Sequence, residues 1–573
     1  MGNKKYISNQ IQYKKMPGAQ IVYWASNTII SAFSNNQSID EYVLFRQGMA
    51  TSDNNRFLRL WFEVEENKSN YTATDIDDAK KSQKKWFAYN KGGEYRKWYG
   101  NNNYVVNWEN DGEEMKAFTA TLPQGMNVRL KSREYYFKEC YSWSKIASSN
   151  ISFRYYPRGF AFDVAGCCVF NTGDNLYYYL GLSNSVVTKS LVSYISPTIN
   201  YELDHLRRIP IIINDDKKTT IDFLVEECIT ISKDEWDSYE TSWNFQKHEL
   251  CGGNTMGYLI ADKFKEWEKK SEERFQKLKE NEEKINKAFI EIYGLQNELT
   301  SEVEDSEVSL RLANEEEDIK SLLSYLVGLV MGRYSLDING IANAGGKLNK
   351  EKYITYLPDE DGIVPIYSFH GISDSLTGEI LNLVKIIYGE DTYQKNIDYI
   401  AGVLNKKSDE SSEETINRYL NEKFYNEHLK TYQKRPIYWM LSSGKQGAFK
   451  CLIYLHRYNK NTLALVNSKY FLPRTAMYKA ERERLETRFA SGQLDAREKK
   501  NVEAELKTIE KCEEELLEYG QVLDYLANQY IELDLDDGVK ENYLKFQRIP
   551  LEVNGARVKK DLLVPFGLEK DKK

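Results

Sequence analysis

The run from Tyr258 to Gly294 constrains the fold of this chain more than any other stretch. Phe264, Trp267, Phe275, Leu278, Ile285, Phe289 and Ile292 recur at helical spacing, with Lys and Glu filling the positions between. That pattern predicts one amphipathic helix of about 35 residues, with Gly294 as its stop. The charges along it form a solvated face rather than a ligand site. The remaining sequence has to be organised around this rod, and 573 residues are enough for roughly two to four domains.

The fold class read from the pattern is α+β. Residues 1–230 hold many short strand signals and read as a β-rich mixed domain. Residues 231–346 hold the long helix and a second apolar helix through Ile319, Leu322, Leu323, Leu326, Val327 and Val330. Gly328 and Gly332, four apart, allow close helix packing there, and Arg333 is placed to pair with Asp337. Residues 347–473 read as a second mixed α/β module, with KKSDESSEET (406–415) as a loop or mobile linker. Residues 474–573 open on a helical hairpin. Tyr478, Leu485 and Phe489 lead to a C-cap at Ser491-Gly492, and Asp495 with Glu498 restarts the chain as a capping box. Val502, Leu506, Ile509 and Leu516 carry the returning helix.

Composition narrows the function classes. No run of 18 apolar residues occurs, so no transmembrane helix is expected. The start, MGNKKYISNQIQYKK, has no apolar segment of the kind a secretion signal needs. Seven cysteines without a C-x-x-C pair point to a reducing, cytoplasmic setting, and five scattered histidines give no metal-ligand spacing. A net charge of −8 excludes a uniformly basic nucleic-acid binder while leaving room for local patches.

Several stretches have the chemistry of such patches. In FRQGMATSDNNRFLRLW (45–61), Gly48 allows a sharp turn with positive φ, and Thr51 to Asn55 build local hydrogen-bonded turns. Asn54, Asn55, Arg56 and Arg59 are then delivered from an apolar base, as a reader of phosphates or base edges requires. An ordinary turn before a strand fits the same residues. The densest basic-aromatic block is KKWFAYNKGGEYRKWYGNNNYVVNW (84–108), with a turn at Gly92-Gly93 and a strand from Tyr104 to Trp108. Lys84, Lys85, Lys91, Arg96 and Lys97 can contact phosphates, and a basic solvated hairpin is the plain alternative. Lys145, Arg154 and Arg158 are further candidate contacts, ahead of an apolar strand from Phe160 to Phe170. In QKRPIYWMLSSGKQGAFKCLIYLHRYN (433–459), Gly444-Lys445 resembles a phosphate loop. Trp439 and Gln446 stand where that motif needs Gly and Ser or Thr, so nucleotide binding is rejected. Ser442, Ser443, Gly444, Lys445, His456 and Arg457 remain candidates for holding DNA backbone, against a strand–turn–strand with polar ends.

These stretches together resemble the target-recognition region of adenine-specific DNA methyltransferases of the BREX phage-defence type, the PglX family. MPGAQIVYWAS (16–26) resembles the family's link out of its catalytic domain. The block 84–108 is similar to its second recognition signature, and SPTINYELDHLRRIPI (196–211), with Asn200 and Tyr201, to the segment that closes such domains. EEKINKAFIEIYGLQNEL resembles its spacer helix, LLSYLVGLVMGRYSLD its packed helix, and DLDDGVKENYLKFQ (534–547) its C-terminal segment. The resemblance runs over nearly the whole chain. It implies duplex DNA as ligand, S-adenosylmethionine as the family's cofactor, and a catalytic polypeptide and other defence-system proteins as partners.

Adenine methylation also needs an Asn/Asp-Pro-Pro-Tyr/Phe loop to hold the flipped base, and a glycine-bearing turn for the cofactor. The chain has eleven prolines and no Pro-Pro pair. No catalytic residue and no cofactor or metal site is therefore expected in it. The sequence reads as the recognition portion without the N-terminal methyltransferase domain, not active alone, reading DNA for a catalytic half supplied in trans. The alternatives are a protein-interaction scaffold of the defence complex that reads no DNA, and an inactive truncated methyltransferase.

Overall fold

A computed structural model describes residues 14, 16–19, 21–146, 150–171, 173–196, 201–367, 375–553 and 556–567. The architecture is mixed α and β, as the patterning predicts. The chain divides into two compact units. Unit 1 comprises residues up to Trp61, Lys68–Ser242 and Glu268–Ala313; unit 2 comprises Phe62–Asn67, Trp243–Trp267 and Asn314 onward.

Unit 1 is built on two sheets. Strands β1 (Val43–Arg46), β2 (Leu58–Leu60), β3 (Ser69–Asn70), β4 (Trp86–Asn90), β5 (Tyr104–Asn107), β6 (Cys140–Ser144), β7 (Phe153–Tyr156), β8 (Ala161–Phe162) and β9 (Gly166–Asn171) follow in chain order. One sheet runs β1-β9-β6-β7, antiparallel throughout; the other runs β2-β5-β4-β3, with β8 added parallel to β4. The single strand expected over 160–170 is thus two, β8 and β9, which lie in different sheets. The apolar face of the first sheet, with Trp143, Val169 and Tyr141, packs on the helices Leu176–Asn184, Val186–Ile195 and Asp215–Asp237. Gly181 makes that contact close: a Cβ there would lie 2.9 Å from Val225 Cγ2.

The long amphipathic helix spans Ile260–Tyr293, 34 residues, and Gly294 ends it in the left-handed conformation (φ 67°). Its assignment passes from unit 2 to unit 1 after Trp267. Within unit 1 its apolar stripe, Phe275, Leu278, Ile285 and Phe289, lies in the same core as the four-stranded sheet. The helix Asp215–Asp237 crosses residue 230, so unit 1 continues past that expected boundary.

Unit 2 carries the helices Glu315–Val330, Leu376–Tyr388, Tyr393–Val403, Ser412–Glu422 and Phe424–Thr431, a three-stranded sheet and the C-terminal hairpin. The sheet runs β10 (Ile363–Pro365), β12 (Lys450–Tyr454), β11 (Tyr438–Ser442), all antiparallel, and β13 (Ile549–Val553) pairs with β14 (Ala556–Lys560). The hairpin helices are Leu472–Ala490 and Ala496–Ala527, with the capping box of Asp495 and Glu498 formed. A second capping box, Ser411 with Glu414, starts a helix at Ser412 inside the stretch expected to be a linker. Two expectations about the apolar helix change. Gly328 makes room for the Tyr334 ring, 2.4 Å from where a Cβ would stand, and Gly332 takes a left-handed turn beyond the helix end. Arg333 is buried and donates to Tyr454 Oη at 3.1 Å, while the Asp337 carboxylate accepts from Ile354 N, Thr355 N and Thr355 Oγ1.

Candidate nucleic-acid interface

The polar turn after β1 is seated by a close backbone approach. Gly48 does not have positive φ; that conformation falls on Ser52, at 63°. Glycine is needed at 48 because a Cβ would stand 1.8 Å from the Phe162 carbonyl oxygen. Met49 N–H then donates to that same oxygen at 2.8 Å. Asp53 caps the short helix Asn54–Phe57 by accepting from Arg56 N, and Thr51 Oγ1 donates to Asn54 Oδ1 at 2.6 Å. Asn54, Asn55 and Arg56 end up exposed, as a reading turn needs. Arg56 pairs with Glu114 at 2.7 Å, both about half exposed.

The other cations divide by burial. Arg59 lies buried along β2, donating to the Asn55 and Leu58 carbonyls, its guanidinium 5.4 Å from the Trp86 ring centre. Arg96 is buried against Glu235 and donates to the Tyr99 carbonyl at 2.7 Å. Lys97 is buried and donates to Glu282 at 2.6 Å. Arg154 has no exposed surface and donates to the Arg96 carbonyl at 3.2 Å and Ser144 Oγ at 3.1 Å. In this conformation these four are largely buried and tie unit 1 together. Long cationic side chains are almost never buried without such partners, and the partners of Arg96 and Lys97 lie 139 and 185 residues away.

Lys91 is partly exposed, 3.6 Å from Asp163, and Lys145 pairs with Glu202 at 2.9 Å. Arg158 and Lys445 are exposed. Gly92 and Gly93 form the expected turn, both with positive φ, and Gly93 N–H donates to Ser144 Oγ. Tyr201 N–H donates to the Lys145 carbonyl at 2.9 Å; Asn200 lies outside the described residues.

The turn after β11 does cradle an anion, one supplied by unit 2 itself. Glu515 accepts from Ser443 Oγ (2.6 Å), Gln446 N (2.7 Å) and Ala448 N (3.2 Å). His456 is buried against the Val64 carbonyl, and Arg457 donates to the Met331, Asp359 and Glu360 carbonyls. Ser443, His456 and Arg457, expected as candidates for holding DNA backbone, are engaged in these internal bonds.

A group that sequence reading passed over appears beside the 48–56 turn. Ala50 N–H donates to the Arg129 carbonyl at 2.7 Å, and Met49 bridges Leu130. This brings Arg129, Lys131, Arg133 and Lys138 alongside Arg46 and the turn. The one local signal was the R-x-K-x-R spacing at 129–133.

Neither large sheet offers a cofactor turn of the nucleotide-binding kind. Among the described residues, parallel strand pairing within these sheets is limited to the two-residue contacts of β3 and β8 with β4, with isolated parallel bridges at Met49–Asp163 and Trp98–Arg154, and the β9-to-helix connection holds a single glycine, Gly173. A cofactor crevice of that type needs a parallel sheet with a switch point. All seven cysteines are buried free thiols. Among the described residues no cluster of His, Cys, Asp or Glu could hold a metal ion, and no helix is long and apolar enough to cross a membrane.

No family model matches the sequence. The chain is 36% identical over 553 residues to the adenine-specific methyltransferase PglX of Lacticaseibacillus casei (strain Zhang), covering 95% of this chain and 46% of that protein. It is 35% identical over 573 residues to the adenine-specific methyltransferase BrxX of Escherichia coli O9:H4 (strain HS), covering 94% of this chain and 45% of that protein. The chain spans a little under half the length of these curated relatives. Over nearly all of its own length, it is related to one portion of adenine-specific methyltransferases of the PglX and BrxX kind.

Proposed function

We propose that this chain is the DNA target-recognition part of a BREX-type adenine-specific methyltransferase acting in phage defence. It binds duplex DNA sequence-specifically, and a catalytic half supplied in trans performs N6-adenine methylation with S-adenosylmethionine. The observation that carries this reading is the similarity over 95% of the chain to a protein named for adenine methylation, in a sequence without the Pro-Pro loop that the chemistry needs. The seat of unit 1 supports it: Asn54, Asn55 and Arg56 are exposed on a short capped helix held by Gly48 against β8. Amide and guanidinium groups are the side chains that pair bidentately with adenine and guanine edges.

The test is duplex binding across a salt series with a randomised sequence pool. A recognition chain loses affinity steeply as salt rises and enriches one sequence. A flat salt response with no enrichment would favour the scaffold reading. Methylation by the purified chain alone would overturn the division of labour.

A further inference from the structure

Five of the cations that stood out in the sequence already face carboxylates inside unit 1. Arg56 faces Glu114, Lys91 faces Asp163, Arg96 faces Glu235, Lys97 faces Glu282 and Lys145 faces Glu202. The two segments joined at Met49 and Leu130 are different. Residues 43–52 and 124–138 together hold five cations, Arg46, Arg129, Lys131, Arg133 and Lys138, against one carboxylate, Glu134. Among the described residues none of the five forms an ion pair.

Their partners are neutral and orient them without cancelling charge. Arg46 donates to Tyr135 Oη at 3.1 Å, with its guanidinium 4.7 Å from that ring's centre, and Lys138 Nζ lies 5.3 Å from the same ring. Lys131 reaches Gln47 Oε1 at 3.5 Å, Arg129 donates to Ser52 Oγ at 3.2 Å, and Arg133 donates to Asn127 Oδ1 at 3.2 Å. Arg129 Nε is buried with no hydrogen-bond acceptor. An open buried donor can be met by water or by an incoming acceptor. The backbone is held in an unusual shape here too: Ser52, Gln124, Ser132 and Phe137 all have left-handed φ without being glycine. Such strain persists where surrounding structure enforces it, and it gathers at functional sites.

We propose that Arg46, Arg129, Lys131, Arg133 and Lys138 form a strip that seats the phosphate backbone of duplex DNA beside the Ser52–Arg56 turn. This rests on the DNA-recognition reading above and adds to it the surface that supplies affinity. A cation with no carboxylate partner gives up no ion pair when a phosphate arrives, so its full contribution goes to binding. In a chain of net charge −8, such a strip also selects which face DNA approaches, because the remaining surface repels it.

The test compares the full chain with the triple variant Lys131→Gln, Arg133→Gln, Lys138→Gln. A control triple, Lys189→Gln, Lys217→Gln, Lys233→Gln, removes the same charge from cations already paired to Glu307, Glu291 and Asp237. Each phosphate contact contributes about 0.9 to the slope of log affinity against log salt. The strip variant should lose two to three units of that slope, weaken random and preferred duplex alike, keep the wild-type sequence preference and melt as wild type does. The control should keep its slope. If wild type binds and enriches a sequence while the strip variant keeps the full slope, the strip is overturned and the recognition reading stands. Equal loss in both triples overturns it as well, since total charge would then explain the effect. No duplex binding by wild type overturns both.

Discussion

Lys97 Nζ and Glu282 Oε2 lie 2.6 Å apart, both buried, joining the basic-aromatic block to the long helix inside unit 1. Trp98 Nε1 donates to the other oxygen of the same carboxylate at 2.6 Å. Burial by itself would lower the Lys97 pKa; Glu282, with Tyr95, outweighs it and holds the ammonium above the ordinary lysine range. Removing one member of a buried pair leaves the other charge uncompensated, at a cost of roughly 3–5 kcal/mol. Lys97→Ala and Glu282→Ala are both expected to lose stability on that scale in urea melts. Glu282→Ala should lose more, since it also strands the indole N–H. The double replacement Lys97→Met, Glu282→Leu should recover much of the loss. Single variants that cost under about 1 kcal/mol, the scale of an exposed pair, would contradict the buried role.

Arg56 and Arg59, three residues apart, should separate completely in mutagenesis. Arg56 is about half exposed and its pair with Glu114 lies at the surface, a setting worth about 0–1 kcal/mol. Arg56→Ala should leave the melting temperature nearly unchanged and relax base preference at one position of the site, at a cost of roughly 1–3 kcal/mol. Arg59→Ala should instead destabilise, because its guanidinium fills the space between two carbonyls and Trp86. Melts and selection from a randomised duplex pool, run on both variants, would decide; equal melts and equal preferences would count against the placement.

Gly48→Ala tests the seat of the turn. The added methyl would collide with the Phe162 carbonyl, so the turn or β8 must move. A stability loss on the order of 1–3 kcal/mol is expected, together with loss of sequence preference greater than Arg56→Ala produces. A variant indistinguishable from wild type in both would show that the close approach carries no weight.

Acidification should weaken unit 2 through its histidines. His248 Nδ1 accepts from Leu250 N and His428 Nε2 accepts from Tyr438 N, both at 3.2 Å, so protonation would set two N–H groups against each other. Burial is the main cause that lowers His248 to about 4 and His428 and His456 to about 3, with Arg333 adding to the last two. The unfolded chain then binds protons that the folded one refuses. Stability is full above about pH 6.5 and is lost as pH falls toward 4, by up to roughly 1.4 kcal/mol per pH unit for each histidine. Asp359, raised to about 6 by burial and by Asp361, works in the opposite sense below that value and offsets part of the slope. Denaturant melts from pH 7.5 to 4.5 should show the decline, and His428→Gln, which can accept the Tyr438 N–H without titrating, should reduce it. A profile unchanged by that variant would remove His428 from the account.

Much of the helical framework was legible. The 3.6-residue stripe from Phe264 to Ile292, the stop at Gly294 and the capping box of Asp495 and Glu498 all appear where local rules place them. Such signals are carried by residues within a turn or two of one another. The strand–turn–strand around Gly444 was legible in outline, and even its resemblance to an anion loop had substance, although the anion is Glu515, some 70 residues on. The helix at Ser412 was missed because an acidic, serine-rich run reads as linker, while its capping box needs only Ser411 and Glu414.

The sequence by itself determined most of the helical elements, the polar turn at 51–56 and the similarity to adenine-specific methyltransferases. Tertiary structure alone decided which cations face solvent. Arg96, Lys97 and Arg154 are indistinguishable in sequence from surface cations, and they are buried because carboxylates and carbonyls from distant segments meet them. Arg46 and Lys131 lie 85 residues apart in sequence and are brought together because Met49 bridges Leu130. A charged side chain is buried or exposed according to whether a partner reaches it through space, and separation along the chain carries almost no information about that distance.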